Sequence, residues 1–256
     1  MKVIACFKVV HDERDLVTGA DGTVSLDRAG LRVGDYDLNA IEAGVQLKTA
    51  EGELVGLTVG GPEVTDSKVR KSVLARGLDA LTVVHDPSLA DADADATAVV
   101  VAAAVKSVGD CDVVICGEGS ADRYAQQVGA QVAARLELPY VNAVSRLELS
   151  DAGLTLERTL ENEVETLAVS LPVVISVAAD SNSPRIPTMK DILGAGKKST
   201  TELSLDDVGV ELPAATVTVG PEKVPAMGDR EQKVFETGQT AEFFGALRQL
   251  IGKDAK

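Results

Sequence analysis

The run Gly117-Glu118-Gly119-Ser120-Ala121-Asp122-Arg123-Tyr124-Ala125-Gln126-Gln127-Val128-Gly129 carries residue types suited to holding a phosphate. Small residues let a ligand approach the backbone, and the start of a following helix offers unpaired N–H groups. Arg123 adds a guanidinium, and Gln126 and Gln127 add amides suited to a base or a ribose. The same residues also suit a plain strand-to-helix loop, and composition leaves both readings open. Other reactive sets are scarce. His11 and His85 follow the first and third strand-like runs and read as solvated loop residues rather than catalytic bases. The sequence has no Ser-His-Asp or Cys-His set, no G-x-G-x-x-G fingerprint and no phosphate loop ending in Gly-Lys-Ser/Thr. Cys6, Cys111 and Cys116 are too few for a disulfide framework. Cys111 and Cys116 lie five apart with no nearby histidine and do not read as a metal site, and all three read as small apolar residues in strands.

A second constellation runs from Ser181 to Lys198. Pro184 and Pro187 stiffen it, and Ile186, Met189, Ile192 and Leu193 stand among polar neighbours. Apolar side chains presented on a polar loop suit docking, and a flexible Met suits contact with more than one partner. A packed loop with a short helix fits the same residues.

The elements that must position these two runs alternate. Short apolar runs at Val3 to Phe7, Leu54 to Val59, Ala80 to Val84 and Asp112 to Cys116 read as strands buried on both faces. Between and after them, Asp37 to Leu47, Thr65 to Arg76, Asp91 to Val108 and Tyr124 to Leu136 show helical spacing. Asp35 or Asp37 suits the cap of the first helix. This alternation predicts an α/β fold with a doubly wound, mostly parallel, Rossmann-like sheet. Its ligands belong at the carboxyl ends of the strands: Cys6 to Lys8, Gly60 to Pro62 and Gly117 to Gly119. After Ala143 the runs Ser145 to Leu149, Leu154 to Leu160, Glu165 to Leu171 and Val173 to Val177 lack intervening helices, which predicts antiparallel strands joined to that sheet. We expect one α/β domain over residues 1–200, including the segment 181–198. A C-terminal arm over 201–256 follows, poor in apolar positions until an amphipathic helix at Thr240 to Ile251.

Composition narrows the partners. The net charge of −15 opposes nucleic acid and anionic membrane surfaces, which attract clustered Lys and Arg. Aromatics make up 3%, with no Trp, so Val, Leu, Ala and Ile must fill the core. No apolar run reaches the length of a membrane span, and the start shows no signal core or cleavage site, so we expect a soluble, cytoplasmic protein.

The segment Leu156-Glu157-Arg158-Thr159-Leu160-Glu161-Asn162-Glu163-Val164-Glu165-Thr166-Leu167, followed by Leu171-Pro172-Val173-Val174-Ile175-Ser176, resembles the signature of the electron transfer flavoprotein β subunit. The pattern is a basic residue, an acidic cluster, Glu-x-Leu, then a Pro leading an apolar strand. Asp35 to Glu42, Asp122 to Gly129 and Asn182 to Lys198 fall in the family's order and spacing. The resemblance runs from residue 1 to about 210 and is closest to the FixA-like branch linked to carnitine and anaerobic acyl-CoA metabolism. It implies a heterodimer with an α subunit whose mobile domain holds the redox FAD. This chain would be the rigid base, its sheet of the adenine-nucleotide-binding type, and would bind an adenine nucleotide, AMP in ordinary members or a second FAD in electron-bifurcating ones.

The resemblance further implies nucleotide contacts at Cys6, at the turn Gly34, Asp35, Tyr36, Asp37 and Leu38, and at Gly60. Further contacts are implied at Asp122, Arg123, Tyr124, Ala125, Gln126, Gln127 and Val128. It makes 181–198 the docking loop for an acyl-CoA-type dehydrogenase. Met189 is then its anchor, where ordinary members have Leu, with Ile186 and Ile192 beside it. The chain departs from the bifurcating pattern Asp-Gly-Asp-Thr-Ala-Gln-Val-Gly by Arg123, Tyr124 and Ala125. The lost Thr hydroxyl and the added bulk favour AMP. The expectation is an electron carrier rather than an enzyme, with the arm packing on the α subunit. Two alternatives remain at this point. One is a bifurcating subunit whose own FAD accepts hydride from NADH. The other is a nucleotide-binding protein of the universal-stress type, which the docking loop and the long C-terminal extension oppose.

Overall fold

Apolar runs without alternation need cover on both faces, and the chain supplies it with helices. The computed structural model describes residues 1–256 except 152, 215–216, 218–219, 221–222, 226–231 and 253–256. They fall into two units, 1–17 with 25–220 and 18–24 with 221–256.

The first unit is built on a nine-stranded sheet. Its strands are β1 (Lys2–Cys6), β2 (Glu53–Gly60), β3 (Ala80–His85), β4 (Val113–Gly117), β5 (Tyr140–Ser150), β6 (Gly153–Thr159), β7 (Val164–Val169), β8 (Val173–Val177) and β9 (Ser199–Leu203). They lie in the order β7-β6-β5-β8-β4-β1-β2-β3-β9. Helices α1 (Asp35–Leu47) and α2 (Ser67–Leu74) cover one face, and α3 (Ala94–Val108) and α4 (Val128–Leu136) cover the other. Successive strand residues divide between the layers: Val3 and Ala5 pack with Ile41 and Val73, while Ile4 packs with Val101 and Val132. This is the expected doubly wound, mostly parallel α/β sheet.

From β1 the chain winds outward through β2 and β3, then returns to place β4 on the other side of β1. The switch point therefore lies between β1 and β4, where an open α/β sheet leaves a crevice at its carboxyl edge.

Several local expectations need correction. β8 is not antiparallel. It lies parallel between β4 and β5, and all five of its residues are buried. An unbroken apolar run marks a central strand, so Val173 to Val177 belongs to the parallel core. The antiparallel ribbon is β5-β6-β7, whose edge strand alternates exposed and half-buried residues. The fourth helix starts at Val128 rather than Tyr124, because Tyr124 and Gln126 hold left-handed φ values of 45° and 56°. Gly34, not an aspartate side chain, caps α1. β9 arises where no strand was expected and extends the sheet parallel to β3. Leu203, Leu205, Val208, Val210 and Leu212 then pack on the layer formed by α3 and α4.

In the second unit, Thr23 makes an antiparallel bridge to Lys223. Its helix α6 spans Thr240–Ile251 as expected and buries none of its residues. Phe243 meets Phe235 and Phe244 edge-on at 5.6 and 5.5 Å. Parts of the expected arm, including 226–231 and 253–256, lie outside the described residues.

Candidate functional site

β1 ends at Cys6, and the chain leaves through Lys8 into a hairpin of Val9–His11 against Leu31–Val33. It returns at Gly34, whose N–H donates to the Lys8 carbonyl at 3.2 Å. One turn into α1 stands Asp37, a buried carboxylate whose Oδ2 accepts the Lys8 N–H at 2.7 Å. Burial pushes this carboxyl up to about 7, although the Lys8 and Gly117 amides and the Lys8 charge pull it down. Gly117 is required here. A Cβ on it would stand 2.6 Å from Asp37 Oδ1 and 2.8 Å from the Tyr36 carbonyl carbon. The start of α1 thus rests directly on the end of β4, across the switch point. The hydrogen bond to Cys116 and burial push the Cys6 thiol up, so it is a neutral packing group rather than a nucleophile.

The loop after β4 closes over this junction. The Glu118 N–H donates to the Val177 carbonyl at 3.0 Å, which ties the loop to the end of β8. Asp122 Oδ2 accepts from Lys8 Nζ at 2.6 Å. The Tyr124 ring lies 5.1 Å from the Tyr36 ring at 38°. Bare Gly119 makes room for it, since a Cβ there would meet the Tyr124 ring at 2.6 Å. The left-handed backbone at Tyr124 and Gln126 costs roughly 1–2 kcal/mol per residue, strain of a kind that collects at ligand clamps. Gln127 gives α4 no side-chain cap, so the first N–H groups of that helix can serve an anion. Gly129, in its first turn, lets Tyr140 approach, and the Tyr140 hydroxyl pairs with Ser176 Oγ at 2.9 Å. The Arg123 side chain is exposed and forms no ion pair among the described residues. An uncapped helix start, a cation and an aromatic pair around bare glycine backbone fit a phosphate linked to a flat ring.

Cys6, Gly34, Tyr36, Asp37, Asp122 and Tyr124 therefore gather at one junction. Ala125, Gln126 and Gln127 lie exposed along its loop, and Val128 begins α4 half-buried. Asp35 and Leu38 point elsewhere: Asp35 pairs with Arg32, and both line a separate cavity. Gly60 ends β2, where Glu63 and Val64 are its nearest neighbours. Lys8, which joins β1 to both Asp37 and Asp122, was expected only as part of the strand end Cys6 to Lys8 and was given no role of its own. Its only signal was its place just past an apolar strand.

The segment 181–198 is anchored to the same helix. Asn39 and Glu42 are buried on α1, one turn beyond the junction. Asn39 Nδ2 donates to the Ala179 and Asn182 carbonyls at 3.0 and 2.8 Å, and Asn182 Nδ2 returns a bond to the Asn39 carbonyl at 3.0 Å. Glu42 accepts from the Arg185 backbone N–H at 3.1 Å and from its guanidinium at 2.7 and 3.0 Å. Burial raises the Glu42 carboxyl, but the Arg185 hydrogen bonds and charge prevail and hold it below the ordinary range. Beyond this anchor α5 (Met189–Ala195) begins at Thr188, which forms a capping box with Asp191. Ile186 is 90% exposed, Leu193 73% and Met189 71%. A fixed base thus presents a cluster of bare apolar side chains.

Among the described residues no group of three or more His, Cys, Asp or Glu is placed to hold a metal, and no helix is long and apolar enough to cross a membrane. Residues 22–208 match the electron transfer flavoprotein domain, a span that takes in α1, the loop after β4, the β5-β6-β7 ribbon and the exposed 181–198 segment. Members of that family are flavin-associated electron carriers rather than enzymes in the usual sense. With nearly three quarters of its length inside that domain, this chain belongs to the electron transfer flavoprotein family.

Proposed function

We propose that the chain is the β subunit of a heterodimeric electron transfer flavoprotein of the FixA-like branch, acting in the cytoplasm. The observation that carries this reading is the segment 181–198, with Ile186, Met189, Ile192 and Leu193 bare on a base pinned to α1. A monomer gains nothing from holding four large apolar side chains in water on an ordered loop, whereas a transient docking element needs them. The partner it fits is an acyl-CoA-type dehydrogenase, with Met189 as the anchor. FAD held by the α subunit supplies the redox chemistry. This chain's residues hold a nucleotide, position the loop and carry the partner, and the arm after residue 200 packs on the α subunit.

The nucleotide assigned to the junction is AMP. Its phosphate belongs at the start of α4 with Arg123, and its base beside the Tyr36–Tyr124 pair. The tyrosine pair already fills the space over Gly119, which leaves a flavin's three-ring system little room unless Tyr124 is expelled. The test is to express the chain with its α subunit, denature the purified heterodimer and identify the released nucleotides. One FAD with one AMP is the expected result. Two FAD and no AMP overturns the assignment of AMP, and failure to co-purify overturns the subunit reading.

A further inference from the structure

We propose that the cavity between the Val9–His11/Leu31–Val33 hairpin, the first turn of α1 and α2 is a binding site for a small organic anion carrying a phosphate or carboxylate group. This inference does not depend on the nucleotide or the dehydrogenase assigned above.

The cavity measures about 380 Å³, a size suited to a small ligand. In a chain of net charge −15 it gathers four cations, Arg14, Arg32, Lys68 and Arg76, against two carboxylates, Asp12 and Asp35. Those carboxylates are already engaged. Asp12 accepts from Arg14 at 2.9 and 2.5 Å, and Asp35 pairs with Arg32, which also faces Glu13 at 3.5 Å. Lys68 and Arg76 form no ion pair among the described residues.

Arg76 is the telling residue. It is partly buried, and its side chain donates to a neutral acceptor, the Arg185 carbonyl, at 2.7 Å. The carboxylate that raises its pKa is Glu42, whose two oxygens are taken by Arg185. Burial prevails and pushes the Arg76 guanidinium down from its ordinary value. A guanidinium withdrawn from water without an anion is costly, and an oxyanion matches its fork of N–H donors. Leu31, Leu38 and Val69 supply an apolar wall for the rest of the ligand. The site is therefore a charged rim awaiting one more negative group over a greasy wall, which suits a short-chain acid or its phosphate.

The test uses the full chain, with calorimetric titration of inorganic phosphate and, separately, of succinate, against sodium chloride at equal ionic strength. Binding of either probe is expected, and the stronger of the two identifies the headgroup. Lys68→Gln, an exposed position that leaves the fold intact, and Arg76→Gln should each weaken it about tenfold, the loss of one charged hydrogen bond. No binding above the chloride control overturns the proposal. Binding that is undiminished in both Lys68→Gln and Arg76→Gln also overturns it, because the anion then occupies another site.

Discussion

Replacing Asp37 by Asn should flatten the pH dependence of stability. In the folded chain burial holds this carboxyl at about 7, whereas its ordinary value is 3.8. Between those values the folded state keeps a proton that the unfolded state has lost, so folding takes up one proton. Stability therefore falls as pH rises through that window, by about 1.4 kcal/mol per pH unit for one proton. Across the whole gap this amounts to on the order of 4 kcal/mol. The contribution is fully present below 3.8 and constant above 7, where the carboxyl is ionised in both states. An Asn side chain keeps one oxygen for the Lys8 N–H but presents an amide to Gly117, at a pH-independent cost of about 1–3 kcal/mol. Carboxylates held low, such as Asp122 and Glu42, push the other way in both proteins and cancel in the comparison. Urea unfolding followed by circular dichroism from pH 4 to 8 measures both curves. The difference between wild type and Asp37→Asn should change by several kcal/mol over that range, and parallel curves would refute a buried, proton-holding Asp37.

Other outcomes follow from the same geometry. Glu42→Ala removes three hydrogen bonds to Arg185, whose side chain is 44% exposed and can regain water. The loss should be about 2–3 kcal/mol of stability, with faster proteolysis near Ile186, and an unchanged unfolding midpoint would count against the anchor. Met189→Ala should weaken binding to the dehydrogenase by about 1–3 kcal/mol while flavin content stays the same; undiminished electron transfer would remove Met189 as anchor. Deleting residues 230–256 should lower recovery of the α subunit in co-purification, through loss of Phe243, Phe244 and Leu247. Full stoichiometry in the truncated chain would sink that role for the arm.

The parallel core was legible because its strands are unbroken apolar runs, and α1, α3 and α6 because their spacing is helical. Reading direction into Val173 to Val177 failed for a simple reason: neighbouring strands in sequence suggested a hairpin, while the burial of all five residues demanded the sheet centre. The left-handed turns at Tyr124 and Gln126 left no trace, since neither residue type announces positive φ. The segment 181–198 announced its exposed apolar residues but not its anchors. Asn39 and Glu42 meet their partners 143 residues away, and no local pattern encodes such a contact. In retrospect two polar residues three apart on the apolar face of a helix were a signal, because buried polar groups require partners. The family resemblance grouped Asp35 and Leu38 with Tyr36 and Asp37, yet helical rotation turns them toward another cavity.

The pairing of Tyr36 with Tyr124 also fixes what can be seen of this protein by eye of light. The chain has three tyrosines and no tryptophan, so its ultraviolet emission comes from very few rings. Two of the three stand 5.1 Å apart at the β1–β4 junction, and the third, Tyr140, is hydrogen-bonded to Ser176 beside α4. Intrinsic fluorescence, which in most proteins averages over a scattered set of indoles, is here close to a single-site signal. A flat ring arriving at the junction would alter both emitters at once, so titrations could be followed on the unlabelled wild-type chain. Tyr124→Phe would then separate the contribution of that ring from the other two without introducing a dye.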